Sequence, residues 1–362
     1  MPLTIEERRA RRKRARRRKR LVLTGLLVAF LCVVALLVWL VVLAIGALQN
    51  RCPAPDTPIP TPTTAYPTCD PTEVAAGVHM NSILLYDATH DAVLYEQNAD
   101  AMVYPASTTK LVTALVACRF GDPNGAYVVG DEQALVEWDA SCAFLEAERE
   151  YPLEALLDGL LLPSGADAAY CLAVNVTRYH ENNQALPATE AVETFVGYMN
   201  DLAAELGCTG THFVTPDGYH DAYHFTTARD MLKIASAALD TPQIAKTVRK
   251  ATSEYGDWEN GNMLVCPDEP YYYEYATGLK TGYTDEAGFC LAASAERGGV
   301  KLIAVMFQSE STEYRFLDAQ NLFERGFLLA ENPPTTTTPR LFKYFDTGDT
   351  TAPAPQTTPT QP

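Results

Sequence analysis

The most apolar stretch of the chain, Leu21 to Leu48, contains no charged residue and exceeds the roughly 20 residues that a helix needs to cross a bilayer. Arg8 to Arg20 lead into it, and Lys and Arg flanking a span are retained on the cytoplasmic side. The pattern predicts a basic cytoplasmic arm (1–20) and a single-pass transmembrane anchor (21–48), with the chain after Arg51 outside the cell membrane. A cleaved signal peptide fits less well, because its apolar core runs to about 7 to 15 residues and no clear small-residue cleavage site follows here. Segments 49–77 and 332–362 are rich in Pro and Thr, a composition that favours extended, solvated chain. They read as a stalk and a disordered tail.

Between them, residues 78–331 carry the periodicities of one folded domain. Ser82 to Tyr86 and Ala92 to Tyr95 are β-rich runs around a short polar turn, which predicts a hairpin. Phe289 to Ala295 and Lys301 to Phe307 flank Arg297, Gly298 and Gly299 and predict a second hairpin, with Gly278 to Tyr283 extended alongside. The middle is helical. Leu111, Ala114, Leu115 and Cys118 fall at i, i+3, i+4, i+7, as do Leu153, Leu156, Leu157 and Leu160, and Val192, Phe195, Val196 and Met199. Thr227 with Asp230 resembles a capping box opening a further helix through Leu232 and Ala235. Strands, then helices, then strands predict an α/β fold of the α+β type. Its five-stranded antiparallel sheet brings the first and last strands together and is flanked by helices packed on its faces.

Composition narrows the function. At 362 residues, 47% apolar and 20% charged, the chain can build a substantial core and is not a disordered acidic polymer. Residues 1–20 hold eleven of the 28 Lys and Arg, so the remainder sums to −26 although the whole carries only −17. Such a body repels phosphate backbones, which excludes nucleic acid as its partner. Of nine cysteines, Cys32 lies in the predicted span and Cys52 with Cys69 could close a loop in the stalk. The other six sit among apolar segments as small buried thiols. No Cys-x-x-Cys pair suggests a zinc ribbon or a redox centre.

The candidate chemistry begins at Ser107 and Lys110, which precede an amphipathic helical run. A spacing of three puts both side chains on one helix face, within reach of each other. A serine hydroxyl becomes nucleophilic near neutral pH when a neighbouring base takes its proton, and lysine is such a base only when burial or another cation lowers its pKa. Ser164 and Gly165 form a tight break between helical stretches that would hold a second hydroxyl clear of them. Lys280, Thr281 and Gly282 on an edge strand offer a cation, a hydroxyl and close backbone approach, the groups that hold a substrate ending in a carboxylate. Lys280 near Lys110 is expected to depress the base further.

A metal reading of His212, His220 and His224, with Asp217 and Asp221 nearby, is disfavoured. Gly and Pro argue against a helix there, and no Glu follows the first His as in zincins. No metal and no cofactor is expected. His79, His90 and His180 sit in no nucleophile elbow. Tyr271 to Tyr273 could line a groove, though aromatic packing beside a strand is the simpler expectation.

In the order Ser-x-x-Lys, Ser-Gly-x, Lys-Thr-Gly, and in the surroundings PASTTKLVTAL, LLDGLLLPSGADAA, HFVTPDGYHDAYHFTTARD and GLKTGYTDEAGFCLAASA, the sequence resembles the serine D-alanyl-D-alanine carboxypeptidases. These low-molecular-mass penicillin-binding proteins share the β-lactamase/transpeptidase-like fold, so the resemblance implies an all-helical subdomain beside the five-stranded sheet. The resemblance spans roughly Val78 to Phe327. It implies Ser107 as acylated nucleophile, Lys110 as its base, Ser164 as proton relay, and Lys280 with Thr281 as clamp for carboxylate and amide. Further implications are Gly282 as the point of close approach, backbone N–H groups of Ser107 and Tyr283 as oxyanion hole, and Arg315 as an aid to carboxylate binding. The implied enzyme is a membrane-anchored, cell-wall hydrolase that removes the terminal D-Ala from peptidoglycan stem pentapeptides through an acyl-enzyme, with β-lactams as covalent inhibitors. One departure stands out: relatives usually read Ser-Gly-Asn where this chain has Ser164-Gly165-Ala166. Loss of that amide is expected to leave the Lys110 amine short of a hydrogen-bond partner. The alternatives are a catalytically weak or inactive cell-wall or β-lactam binding module, or a β-lactamase, whose Ser-Asp-Asn element and deacylating glutamate motif are not evident.

Overall fold

The computed structural model describes residues 78–330. The predicted arm, anchor, stalk and tail lie outside the described residues, as do Cys32, Cys52 and Cys69. No helix among the described residues is long and apolar enough to cross a membrane.

The sheet is built from β1 (Ser82–Asp87), β2 (Ala92–Gln97), β5 (Ala276–Thr284), β6 (Gly288–Arg297) and β7 (Val300–Ser309). Its antiparallel order is β2-β1-β7-β6-β5, so the first and last strands meet as expected. β1 pairs with β7 through Leu85↔Ala304, and β5 pairs with β6 through Lys280↔Ala292 and Tyr283↔Phe289. All of β1 is buried, because both sheet faces are covered. Its alternation sorts side chains between two cores: Ile83 and Leu85 join Leu302, Ala304 and Met306 on one face, whereas Leu84 and Tyr86 join Ile303, Val305 and Phe307 on the other.

The second face carries the helical layer: α1 (Lys110–Phe120), α2 (Leu153–Leu161), α3 (Ala166–His180), α4 (Ala188–Glu205), α5 (Ala228–Asp240) and the short α6 (Pro242–Thr247). The capping expected at Thr227 is present, its Oγ1 accepting from Asp230 N at 3.1 Å. α1 departs from expectation. Every residue from Lys110 to Ala117 is buried, so it is a core helix enclosed on all sides rather than an amphipathic one. The other sheet face is covered by α7 (Thr312–Ala330), which the sequence reading did not anticipate. Tyr271 stacks on Phe316 and Tyr273 on Phe323 of this helix, so the tyrosine cluster packs as the simpler expectation had it. A two-stranded ribbon of β3 (Ala126–Val128) and β4 (Glu150–Pro152) is also new. The six cysteines among the described residues are free thiols.

Candidate active site

A single 3-10 turn, Ala106–Thr109, runs directly into α1, so Ser107 ends up one turn before the buried helix and Lys110 becomes its first residue. Thr108 Oγ1 closes the turn on Pro105 O at 2.7 Å. Ala106 holds a positive φ of 48°, a conformation disfavoured for residues other than glycine and enriched at functional sites. The spacing of three performs as predicted: Lys110 Nζ lies 2.9 Å from Ser107 Oγ. The lysine is 2% exposed. Burial drives its pKa down, against the opposing pull of the Asp217, Asp167 and Cys142 charges.

The expected shortage of partners at this amine does not arise. Lys110 Nζ donates to the backbone carbonyl of Asp217 at 2.7 Å, so a distant loop supplies the acceptor that Ala166 lacks. Ala166 is buried at the start of α3, and its N–H donates to Ser141 O at 2.7 Å. The Asp167 carboxylate takes the N–H groups of Ala143, Leu145 and Ala168 at 2.8, 2.9 and 3.0 Å, which pins the Ser141 loop against the α2–α3 break. Ser164 sits in that break with a φ of 68° and faces the same cleft as Ser107.

On the opposite wall, edge strand β5 presents Thr281, Gly282 and Tyr283. Gly282 allows a close approach there, because a Cβ would lie 3.1 Å from Pro105 O, Ala106 Cβ and Ser107 N, tighter than ordinary contact. The strand thereby presses its backbone against the nucleophile turn. Lys280 is placed differently from expectation. It is 1% exposed and does not line the cleft, its Nζ donating to Thr281 O at 2.9 Å beneath the wall. Burial is the main cause of the depression of Lys110. Lys280 is itself held far below the usual lysine range by burial and then by the charges of Lys110 and Arg315, so the expected repulsion between the two amines is present, though secondary to burial.

Arg315 reaches the cleft from α7. Its Nη1 donates to Gly282 O at 3.3 Å and Cys290 O at 3.4 Å, and the guanidinium lies over Phe289 and Phe316. Burial lowers its pKa to about 10, and its buried Nε has no protein partner. The cleft encloses about 720 Å³, and seven of the eight residues singled out in the sequence line it, Lys280 being the exception.

The residues that sequence reasoning missed lie mainly in the loop after Phe213. Asp217 gives its carbonyl to Lys110, and Pro216 O accepts from Thr113 Oγ1 at 2.5 Å. His224, considered only as a metal ligand, is buried and fully engaged. Its Nδ1 accepts from Val214 N and Thr215 N at 3.1 and 3.3 Å, and its Nε2 lies 2.8 Å from Thr109 Oγ1. His212 turns to Tyr223 O and His220 toward Glu286. No group of three His, Cys, Asp or Glu that could hold a metal occurs among the described residues. The quoted loop motif was the available signal, but a main-chain acceptor leaves no mark of its own in residue type.

The profile of the D-alanyl-D-alanine carboxypeptidase family matches residues 69–311. The chain is 34% identical over 252 residues to the D-alanyl-D-alanine carboxypeptidase of Streptomyces sp. strain K15, covering 65% of this chain and 83% of that one. It is 32% identical over 255 residues to DacB2 of Mycobacterium tuberculosis, covering 68% and 81%, and 30% identical to DacF of Bacillus subtilis, of whose length it spans 63%. Among solved structures, the Streptomyces K15 DD-transpeptidase superposes with a TM-score of 0.62 at 30% identity, over 70% of this chain and 98% of that one. Penicillin-binding protein D2 from Listeria monocytogenes, in its ampicillin-bound form, gives 0.58 at 28% identity over 69% and 98%. With about two thirds of its length matched and the serine–lysine pair in place, the chain belongs to the D-alanyl-D-alanine carboxypeptidase family, a family of serine hydrolases.

Proposed function

We propose that this chain removes the terminal D-alanine from peptidoglycan stem pentapeptides through an acyl-enzyme on Ser107. The observation that carries the reading is the 2.9 Å approach of Ser107 Oγ to an almost fully buried Lys110 amine. Burial lowers the pKa of that amine and so favours its unprotonated form, which takes the hydroxyl proton as Oγ attacks the carbonyl of the penultimate residue. The N–H groups of Ser107 and Tyr283 serve as donors to the developing oxyanion, each worth about 3 to 4 kcal/mol in such sites. Ser164 relays the proton to the departing D-alanine, and water then releases the acyl group. Thr281 and Arg315 receive the substrate carboxylate. Lys280 acts from beneath the wall, because an anion arriving above it offsets the burial and repulsion that disfavour its charge.

Ampicillin in the Listeria neighbour supports the same serine as a target of β-lactams. We further assign residues 21–48 as the tether that holds the domain outside the cell membrane, beside its substrate, on the strength of their uncharged length and the basic arm before them. The test is to incubate the full-length chain with a pentapeptide ending in D-Ala-D-Ala and to measure freed D-alanine, with fluorescent penicillin reporting acylation. Release and labelling should both vanish in Ser107→Ala. Labelling that survives this change, or an intact labelled serine that frees no D-alanine, overturns the assignment. Protease accessibility of the domain in intact cells tests the tether.

A further inference from the structure

His224 has no part in the reaction just described, yet it joins the two segments whose separation sets the environment of the lysine base. Two backbone N–H groups, from Val214 and Thr215, converge on its Nδ1 at 3.1 and 3.3 Å. That nitrogen therefore carries no proton, so Nε2 does, and it donates to Thr109 Oγ1 at 2.8 Å. The geometry admits one tautomer of a neutral ring. Thr109 is the last residue of the nucleophile turn and adjoins Lys110. Val214 and Thr215 begin the loop whose carbonyls at Pro216 and Asp217 face Thr113 and Lys110. Asn200 holds the loop from its other side, accepting from Phe213 N at 2.8 Å and donating to Phe213 O at 2.9 Å.

We infer that His224 is a positioning residue for the reaction, a neutral strut that, through Thr109, holds the Asp217 carbonyl on Lys110 Nζ and keeps water away from the amine. This rests on the assignment of Ser107 and Lys110 given above. The surroundings suit the role. Burial pushes the imidazole pKa down to about 3. Asp221 pulls the other way, while His212, His220 and Lys110 reinforce the depression. Around the amine stand Asp217, Asp167 and Cys142, with Lys280 beyond. A ring that gained a second proton would aim Nδ1–H at two N–H donors, so the strut works only uncharged.

The test uses the full-length chain with Thr109→Val, Thr109→Ser and His224→Gln, following fluorescent-penicillin acylation as a function of pH together with thermal melting. Thr109→Val, which keeps the shape and removes the acceptor, should slow acylation at neutral pH by at least tenfold. It should also move the acid limb of the pH profile upward, because water admitted to Lys110 returns its pKa toward the ordinary value. Thr109→Ser, which keeps the hydroxyl, should restore both. The Thr109→Val, His224→Gln double variant should be no slower than the worse single one, as two ends of one contact require. A Thr109→Val enzyme with wild-type rate and pH profile overturns the inference, as does a rate loss that leaves the acid limb in place. If valine at 109 prevents folding, the same two readings on His224→Gln decide. Ser107→Ala in the same assay keeps the two claims apart, since labelling of that variant refutes the nucleophile whatever Thr109→Val does.

Discussion

Replacing Gly218 by alanine perturbs the site where the loop after Phe213 bears on the nucleophile turn. Gly218 has a φ of 81°, and a Cβ there would overlap the Ala106 carbonyl, coming to 2.6 Å from its carbon and 2.8 Å from Thr109 Oγ1. Carbon atoms rest at about 3.5 to 4.0 Å, so the loop or the turn must retreat by about 1 Å. The left-handed backbone adds about 1 to 2 kcal/mol for an L side chain, and overpacking a tight contact adds about 1 to 3 kcal/mol. A total near 3 kcal/mol corresponds to a fall in melting temperature of about 6 to 12 °C for a domain of this size. The same displacement acts on the neighbouring Asp217 carbonyl, which sits 2.7 Å from Lys110 Nζ. Misplacing by 1 Å a group that positions the base can lower the rate by about 100-fold. Differential scanning calorimetry and the rate of fluorescent-penicillin labelling, measured on the same preparation, check both figures. A Gly218→Ala chain that melts with the wild type and labels within threefold of its rate would show that the loop and the turn are not in hard contact.

Four further outcomes are expected. Acylation requires the unprotonated amine, so its rate should rise with pH through the depressed pKa of Lys110 and fall on acidification. Lys110 and Lys280 both titrate below the ordinary 10.5 in the folded state, so between their depressed values and 10.5 the unfolded chain binds more protons and folding stability rises with pH. Lys110→Met should abolish acylation and reduce that rise, as urea titrations at several pH values will record; an unchanged slope would refute the burial argument. Thr281→Val removes the hydroxyl that the cleft offers to a carboxylate, a bond worth about 1.5 to 3 kcal/mol, and should lower kcat/KM for the peptide about 10- to 100-fold with little change in melting. Thr227→Ala deletes the cap of α5 and should lower stability by about 1 kcal/mol without touching acylation, as denaturant unfolding and labelling will show together.

What the sequence determined by itself was whatever neighbours along the chain can encode. Alternating and helical periodicities placed all five strands of the main sheet near their observed positions, because side-chain direction repeats every two residues in a strand and every 3.6 in a helix. A spacing of three sufficed to predict that Lys110 reaches Ser107, since that geometry is local to one turn. The order of motifs then named the family. Only the folded chain decided what surrounds the amine. Its second partner is a main-chain carbonyl 107 residues away, and every residue carries such a carbonyl, so no residue type advertises it. For the same reason Ala166 signalled a missing partner that the fold replaces, His224 was weighed only as a metal ligand, and Lys280 was expected in the cleft rather than under its wall. Burial itself, which makes the lysine a base, is a property of three-dimensional packing: α1 looked one-sided as a string of residues and became a core helix only once the sheet and the other helices closed around it.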